Sequence, residues 1–321
     1  MKRFINLLKK AGGMDMVRQY LRAHVLFYAF VQILLQGFSK KSLEIARLSI
    51  NNRILKKLRR KYSGFVREYL GGEEERKGLP KEKSRKVWVC WLQGMENAPL
   101  LVQKCYQSLE ENLGDREIIL LTEDNYRQYV TFPDYIREKI DNGSISRTHM
   151  SDLLRLELLT TYGGTWVDAT VFFSSGRIPD YFLDSELFTF QDLKPGLDGH
   201  STRISSWFMT ACTNHPILLL TRALLYEYWK KHRTLQDYYL IHDMFELAIE
   251  AYPESWNRVV PFCNAVPHIL LLRLYEPYDE KIWQAVGQMC PLHKLSYKAS
   301  ADRQALPGTY YRKLFLEETF P

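Results

Sequence analysis

The segment 146–173 constrains the fold of this chain more than any other part of the sequence. Apolar residues at helical spacing over 146–162 predict a largely buried helix, which Gly163 and Gly164 end. The run TWVDATVFF at 165–173 then predicts a strand. A buried helix that turns directly into a strand is typical of α/β folds.

The rest of the body continues this alternation. Further predicted strands are 86–92, 117–121 and a later one near 206–211. Further predicted helices are 99–113 with Gly114 as C-cap, 124–140 with a break at Pro133, 214–232 with Asn214 as N-cap and Pro216 in the first turn, 236–252 and 278–290. We therefore expect an α/β fold with a sheet rich in parallel strands.

The charge of the chain is unevenly distributed. Residues 1–86 contain 22 Lys and Arg against 7 Asp and Glu, a net charge of +15, whereas the remainder carries 22 against 30, a net charge of −8. A basic arm of this kind is attracted to anionic surfaces, either phospholipid headgroups or nucleic acid. Residues 1–70 are predicted to be helical, and 43–62 form either a solvated basic helix or one that docks on an anionic membrane.

The most apolar stretch, 25–35, is too short to cross a membrane. It falls well below the roughly 20 apolar residues that a spanning helix needs, and it lacks the small-residue cleavage site of a signal peptide. We expect a buried or an interfacial helix here. The polar segment 71–80 is predicted to be a linker, which divides the chain into a basic helical extension, 1–80, and a body, 81–321.

The five cysteines are scattered, without CxxC spacing, and no His and Cys cluster has the spacing of a zinc site. This pattern predicts reduced thiols in a cytosol-like compartment.

Three charged residues within 151–170 suggest a binding site. Asp152 and Arg155 are three residues apart, hence on one face of a helix that is otherwise mostly leucine. They form either a simple ion pair or part of a polar cleft. Asp168 lies in an apolar strand, which is costly unless it stands at the strand's end or binds a ligand. Ligands of open α/β sheets bind beyond the carboxyl ends of the strands.

The whole pattern, SD-x-LR-x-x-x-L-x-x-x-GG-x-W-x-D-x-T, resembles the sugar-binding DXD region of bacterial capsular polysaccharide synthesis glycosyltransferases. More distantly it is similar to the DXD transferases that include fungal mannosyltransferases and clostridial glucosylating toxins. The resemblance extends over about 85–320, including WVCWLQGMENAPLLVQKC, SSWFMTACTNHPIL, YYLIHD and PLHKLSYK. The basic N-terminal region also looks like the one that precedes the catalytic domain in capsule-type members.

This resemblance implies a GT-A (Rossmann-like) nucleotide-sugar transferase domain that retains anomeric configuration. Trp91, after the first strand, would stack on the nucleotide base, and Trp166 would line the nucleotide cleft. Asp152 and Arg155 would hydrogen-bond the hydroxyls of the donor sugar, next to Ser151.

The resemblance also assigns the diphosphate and the metal. Asp168 would be the first Asp of DXD, in contact with the ribose and the metal shell, whereas Thr170 replaces the second Asp. A hard cation such as Mn²⁺ or Mg²⁺ prefers carboxylate oxygens, so this replacement leaves metal dependence open. His293, Lys294 and Lys298 would approach the diphosphate, and Lys294 could offset the charge of the leaving group in place of a metal.

His242 and Asp243 interrupt the apolar helical run YYLIHDMFELAI. They are either the polar edge of a helix or a pair in the acceptor cleft. In the second case, Asp243 would orient the acceptor hydroxyl or accept its proton.

The expected function is transfer of a hexose from a UDP- or GDP-sugar to a polysaccharide or lipid-linked oligosaccharide in bacterial capsule synthesis. The enzyme would be cytoplasmic and peripheral, on the inner face of the plasma membrane, with an anionic membrane surface as a partner. Two alternatives stay open: a non-catalytic nucleotide-sugar binder, suggested by Thr170, and a nucleic-acid binder that uses the basic arm. The arm has no recognised nucleic-acid motif, so we expect no nucleic-acid partner.

Overall fold

A computed structural model describes residues 13–193 and 201–317 of the chain. The fold is mixed α/β. Its strands are β1 Lys86–Cys90, β2 Glu117–Leu121, β3 Gly164–Asp168, β4 Val171–Phe173, β5 Leu187–Gln191, β6 Ile204–Ala211 and β7 Leu292–Lys294. Its helices are α1 Gly13–Arg22, α2 Leu26–Gln36, α3 Lys40–Gly71, α4 Glu73–Lys77, α5 Leu100–Asn112, α6 Tyr126–Tyr129, α7 Asp134–Asp141, α8 Arg147–Tyr162, α9 Asp180–Leu183, α10 Pro216–Lys231, α11 Leu240–Ala251, α12 Pro253–Trp256, α13 Ile269–Arg273, α14 Glu280–Met289, α15 Ala301–Gln304 and α16 Tyr310–Phe315.

The main sheet has the strand order β2-β1-β3-β6-β5. Strand β1 is parallel to both β2 and β3, whereas β6 is antiparallel to β3 and β5. The sheet is therefore mixed: β2, β1 and β3 are parallel, as in the predicted parallel-rich sheet, whereas β6 adds antiparallel pairs. Alternate residues of β1 face opposite layers: Trp88 points to the core under α8, α10 and α11, and Val87 and Val89 point to the core under α5.

The predicted strand 165–173 is wrong in one respect, because the chain changes sheet within it. Strand β3 ends at Asp168, the next two residues turn, and β4 pairs with β7 in a separate two-stranded antiparallel sheet. The turn puts Asp168 at the carboxyl end of β3, beside Cys90 at the end of β1. Asp168 thus stands at the strand's end, where its charge costs least.

Two glycines fix how β3 enters the sheet. Gly163 and Gly164 have φ of +66° and +94°, in the region that favours glycine. A Cβ on Gly164 would lie 2.3 Å from the carbonyl oxygen of Lys86. The buried indole of Trp88 also donates a 2.9 Å hydrogen bond to the Gly163 carbonyl. The diglycine therefore allows β3 to approach β1 closely while the chain reverses direction.

The N-terminal helices pack on the body through α3. Helix α2 lies against α3, and the hydroxyls of Tyr28 and Ser49 are 2.6 Å apart. Helix α3 buries an apolar stripe at helical spacing and contacts α10 and α11; the stripe is Ala46, Ile50, Ile54, Leu55, Leu58 and Tyr62. The basic helix predicted at 43–62 is thus confirmed, and it continues to Gly71.

The rest of the extension agrees with the prediction in part. Residues 1–12 of the predicted helical arm lie outside the described residues. The predicted linker 71–80 includes the short helix α4, so it is not simply a loop. Within the described ranges, none of the helices is both long enough and apolar enough to cross a membrane. The boundary between 1–80 and 81–321 stays a prediction.

Several helix ends also differ. Helix α10 has His215 as its N-cap and Pro216 in its first turn, so the N-cap predicted at Asn214 is wrong. Asn214 has a positive φ, and its side-chain amide donates to the Pro80 carbonyl. Helix α5 ends at Asn112, with Leu113 and not Gly114 as its C-cap. The predicted break at Pro133 is confirmed, because Pro133 lies between the two short helices α6 and α7.

Candidate functional site

The structure brings together Asp152, Arg155 and Asp168. The guanidinium Nη2 of Arg155 lies 3.4 Å from Oδ1 of Asp152 and 3.5 Å from Oδ1 of Asp168. Its Nη1 donates a 2.6 Å hydrogen bond to the Ser206 carbonyl on β6, and its Cζ lies 4.9 Å from the Trp166 ring centroid. A carbonyl, two carboxylates and an indole therefore hold one buried cation between α8 and the end of β3.

Asp168 is paired with a second cation, Lys294, from the small sheet. Oδ2 of Asp168 accepts from Lys294 Nζ at 3.0 Å, and Oδ1 accepts from Trp166 Nε1 at 3.0 Å. Lys294 Nζ also donates to Thr170 Oγ1 at 2.6 Å. The Asp168 side chain still keeps 28% of its exposure, so this group of charges opens to solvent. We call Asp152, Arg155, Asp168 and Lys294 the charge cluster.

The charge cluster keeps Asp168 ionised. Burial alone would raise the pKa of the Asp168 carboxyl, but the ammonium of Lys294 and the guanidinium of Arg155 outweigh it. The hydrogen bonds from Trp166 and Lys294 act in the same direction, and the pKa lies below its ordinary value. The Asp168 carboxyl therefore carries its negative charge at neutral pH.

The donor set does not suit a divalent cation. Both oxygens of Asp168 already accept from N–H groups, and the hydroxyl of Thr170 accepts from Lys294. Among the described residues, no group of three or more His, Cys, Asp or Glu side chains could hold a metal ion. An ammonium thus takes the position next to Asp168 where the resemblance implied Mn²⁺ or Mg²⁺.

Behind Asp152, two buried residues that the sequence did not single out form a hydrogen-bonded chain. Trp229 Nε1 donates to His149 Nε2 at 2.9 Å, and His149 Nδ1 lies 3.3 Å from Asp152 Oδ2. Because an indole N–H only donates, Nε2 of His149 must accept, and the proton of a neutral imidazole sits on Nδ1, facing Asp152. The spacing of His149 and Asp152 in one helix was a usable signal, whereas Trp229 lies 80 residues away.

Of the predicted pair in α11, only His242 interacts with the charge cluster. Burial lowers the pKa of His242 to about 4; the carboxylates of Asp152 and Asp168 oppose this effect, and Arg155 adds to it. Its imidazole is therefore neutral at pH 7, and Nδ1 has no hydrogen-bond partner among the described residues.

Asp243 instead lies in a buried group of acids. Burial raises the pKa of its carboxyl well above the ordinary value, and the neighbouring Asp237 and Glu246 add to the shift. Asp243 is 3% exposed. The prediction that Asp243 works in the acceptor cleft therefore needs correction, because burial keeps its carboxyl away from solvent.

The structure also separates the three residues that were predicted to approach the diphosphate. Lys294 is in the cluster, whereas the next residue along β7, His293, points to the opposite side of the strand and is 0% exposed. His293 Nε2 lies 2.9 Å from the Ser174 hydroxyl, and burial lowers the pKa of its imidazole to about 3. The assignment of His293 to the donor site is thus wrong, because its ring is part of the core. Lys298 lies on the exposed segment after β7.

Aromatic rings lie around the cluster. Trp91 directly follows β1 and packs edge-on against Tyr297, with ring centroids 5.6 Å apart. Tyr238 and Tyr239 are half exposed just before α11; the charges of Asp152 and Asp168 act on Tyr238. Neither tyrosine was predicted as a site residue.

Unsatisfied polar atoms mark the same region. Within the described residues, Arg155 Nε, Trp91 Nε1 and His242 Nδ1 are buried without a hydrogen-bond partner. Such atoms are costly unless a ligand or water satisfies them. Ser151, by contrast, uses its hydroxyl to donate to the Thr148 carbonyl of its own helix.

Comparison with known proteins assigns the chain to a family. The family model described as capsular polysaccharide synthesis protein matches residues 35–314. Over 102 residues the chain is 33% identical to "O-glycosyltransferase braB" of Annulohypoxylon truncatum, a match covering 29% of this chain and 24% of that protein. Over 98 residues it is 28% identical to "O-glycosyltransferase PaGT" of Phomopsis amygdali, covering 28% of this chain and 24% of that protein. The matched regions thus span about a quarter of the length of these curated relatives.

Among solved structures, "PaToxG Glycosyltransferase" aligns with 84% of this chain and 96% of its own, at 14% identity and a TM-score of 0.36. A score this low does not establish a shared fold. The family match, in contrast, covers most of the chain, including both halves of the charge cluster. The chain therefore belongs to the family of capsular polysaccharide synthesis proteins.

Proposed function

We propose that the chain is a glycosyltransferase that binds a nucleotide-sugar donor at the charge cluster. The observation that carries this proposal is the position of Arg155, held between Asp152 and Asp168 at the carboxyl end of β3 with Lys294 alongside. This edge of an α/β sheet is where ligands bind. The family and the names of the two O-glycosyltransferases support the same chemistry.

Asp152 and Arg155 are suited to hold the hydroxyls of the donor sugar. The contacts of Asp152 with Arg155 and His149 are long, at 3.4 and 3.3 Å, so its oxygens keep capacity to accept from a sugar. Arg155 keeps an unsatisfied Nε–H as a donor. A sugar held on both sides in this way is oriented before the bond to the diphosphate breaks.

Lys294 is suited to stabilise the leaving diphosphate. The C–O bond to the nucleoside diphosphate breaks as negative charge grows on the departing oxygens, and a fixed ammonium lowers that barrier. Asp168 and Thr170 hold the ammonium in place, at 3.0 and 2.6 Å. The protein itself thus supplies the cation, and no step is assigned to a metal.

His242 is suited to meet the acceptor. Its neutral imidazole lies beside the cluster with Nδ1 unsatisfied, and can accept a hydrogen bond from an acceptor hydroxyl. Tyr238 and Tyr239 offer exposed rings for stacking on a sugar. In the same proposal, Trp91 stacks on the nucleotide base, Trp166 lines the nucleotide cleft, and Lys298 lies near the diphosphate.

Finer features of the proposal come from the resemblance to DXD glycosyltransferases. They are a GT-A domain over 81–321, retention of configuration, a UDP- or GDP-hexose donor, and an acceptor that is a polysaccharide or lipid-linked oligosaccharide. A role in bacterial capsule synthesis, at the cytoplasmic face of the plasma membrane, belongs to the same proposal; the family description supports only its connection with capsular polysaccharide synthesis.

Thermal unfolding with UDP, GDP and their hexose conjugates, with and without Mn²⁺, tests donor binding, because a ligand of the native state raises the melting temperature. We expect a shift with one nucleotide sugar that Asp168→Asn abolishes and that the exposed control Asp302→Asn retains. An unchanged shift in Asp168→Asn would refute the site. Release of nucleoside diphosphate then distinguishes a transferase from a non-catalytic binder.

A further inference from the structure

Helix α2 exposes most of its large apolar side chains. Four of them form what we call the α2 ridge: Phe27 at 81% exposure, Leu35 at 76%, Leu34 at 64% and Phe30 at 59%. Such a set presents on the order of 500 Å² of apolar surface, as much as the largest patch of a typical monomer, and patches of this size are often functional.

The opposite side of α2 is already packed. Ala29 is buried, Val25 is buried just before the helix begins, and Tyr28 bonds to Ser49 of α3. The ridge is therefore a second apolar face, left outside the core. The exposed Ile45 and Leu48 of α3 add to the apolar surface of this helix pair.

Cations accompany the ridge. Residues 13–71 contain twelve Lys and Arg and three Asp and Glu, a net charge of +9. Exposed basic residues precede the ridge in α1, follow it directly and continue along α3; they are Arg22, Lys40, Lys41, Arg47 and Arg53. An apolar ridge with basic neighbours matches the layering of an anionic bilayer, where acyl chains lie beneath phosphates.

The dimensions of α2 suit a position in the plane of the membrane. Eleven helical residues extend roughly 16 Å, about half of the ~30 Å hydrocarbon core. The basic helix α3 is less suited to this role than the sequence suggested, because its apolar stripe is buried against the body. The ridge on α2, together with the cations next to it, is the face left free.

We propose that the α2 ridge docks the chain on an anionic phospholipid bilayer, with α2 lying among the headgroups and the neighbouring cations on the phosphates. Pairing with a second copy through this segment would bring together two segments that each carry a net charge of +9, so charge favours the bilayer. Helix α1 also contacts the loop before α11, since Arg22 Nη1 lies 3.5 Å from the Leu235 carbonyl. That loop continues to Tyr238 beside the charge cluster, so the docking helices adjoin the entrance of the site.

Flotation of the full chain with vesicles tests the proposal. One set is phosphatidylcholine alone, and the other contains 30% phosphatidylglycerol. We expect binding to the anionic vesicles that weakens as salt rises. The triple variant Phe27→Ser, Leu34→Ser, Leu35→Ser should lower the partition coefficient by more than about tenfold. Leu272→Ser, at a residue of 77% exposure on α13, is the matched control and should bind as the parent does.

Three results would overturn the proposal. The first is no binding of the parent chain to anionic vesicles. The second is equal binding of the parent and the triple variant, above all if deletion of residues 1–12 abolishes binding, which would assign docking to that segment. The third is a parent dimer in sedimentation that the triple variant dissociates, without vesicle binding. An unchanged melting temperature of the triple variant shows that its fold is intact. The flotation result does not depend on whether the chain is a transferase.

Discussion

Trp229 of α10 holds the imidazole of His149 by a 2.9 Å hydrogen bond to Nε2, and so turns the protonated Nδ1 towards Asp152. An aromatic residue with no contact to the proposed sugar thereby sets the direction of a carboxylate in the charge cluster. His149 and Trp229 are positioning residues in this arrangement, since they act through Asp152.

Removing the indole N–H should therefore weaken donor binding. We expect Trp229→Phe to raise KM for the nucleotide sugar about tenfold with a smaller change in kcat, because His149 loses its fixed tautomer and Asp152 its fixed orientation. Steady-state kinetics measure the split. The control Trp256→Phe, in α12, should leave KM unchanged, and an equal loss in both variants would mean that only general packing was disturbed.

Replacement of the cluster's ammonium should affect the chemical step. We expect Lys294→Met to lower kcat by about 10² or more, because the leaving diphosphate loses its nearest fixed cation. The exposed control Lys281→Met should retain full activity. Single-turnover release of the nucleoside diphosphate measures the step, and a kcat within twofold of the parent would exclude the role.

Lys294→Met should also change stability at acid pH. The lowered pKa of Asp168 stabilises the native state above its ordinary value of 3.8, and this stabilisation is lost as pH falls through the lowered pKa. Without Lys294 the pKa of Asp168 moves back up, so this stabilisation is smaller and less of it is lost on acidification. Melting temperatures between pH 2 and 6 should therefore decline less steeply in the variant than in the parent, and superimposable profiles would contradict this.

Chelation should leave the enzyme active. Because both oxygens of Asp168 are taken by N–H donors, we expect EDTA to change the rate of transfer by less than about twofold. Added Mn²⁺ should likewise leave the donor-induced thermal shift unchanged. Complete loss of activity in EDTA, restored by Mn²⁺, would show that Lys294 leaves Asp168 when donor binds.

The diglycine should be sensitive to a single methyl group. We expect Gly164→Ala to lower the free energy of unfolding by about 3 kcal/mol or more, because the new Cβ would meet the Lys86 carbonyl at 2.3 Å. Gly143→Ala is the control: it also has a positive φ, but no neighbour within 4 Å, and should cost about 1 kcal/mol. Denaturant unfolding measures both, and equal costs would refute the close approach.

The acids near Asp243 should make the native state less stable as pH rises. Burial raises the pKa of Asp243 well above 3.8 and that of Asp237 to about 6, so the native state binds more protons than the unfolded chain. The resulting stability is present below pH 3.8 and is lost as pH rises through about 6. We expect Asp243→Asn to raise the melting temperature at pH 7.5 more than at pH 5, and an equal change at both would contradict this.

The sequence predicted the parts of the site that depend on local pattern. Helix α8 and the diglycine after it follow from apolar spacing and from glycine's freedom of φ, and the position of Asp168 at a strand's end follows from the cost of burying its charge. Helix α8 and the diglycine appear in the structure as predicted, whereas the predicted strand 165–173 already ends at Asp168, which is one of the two alternatives that the sequence left open.

Long-range contacts account for the features of the site that could not be predicted from the sequence. Strand β7 has only three residues, and it exists because β4 pairs with it more than a hundred residues earlier in the chain. Successive side chains of β7 point to opposite sides, so Lys294 faces the charge cluster while His293 faces the core. This difference could not be predicted before the pairing of β7 was known. Trp229 was missed for the same reason, since its partner His149 lies in another helix.

The change of sheet after Asp168 has one further consequence. The carboxylate of Asp168 belongs to the main sheet, whereas the ammonium of Lys294 belongs to the small sheet. The distance between these two groups therefore depends on how the two sheets pack against each other. A change that shifts the small sheet, such as repacking of α14 or α16 beside it, would alter the electric field at the proposed sugar site. No residue of that site would need to be substituted. Substitutions far from the proposed donor site would thus change the rate of the reaction by shifting the small sheet relative to the main sheet.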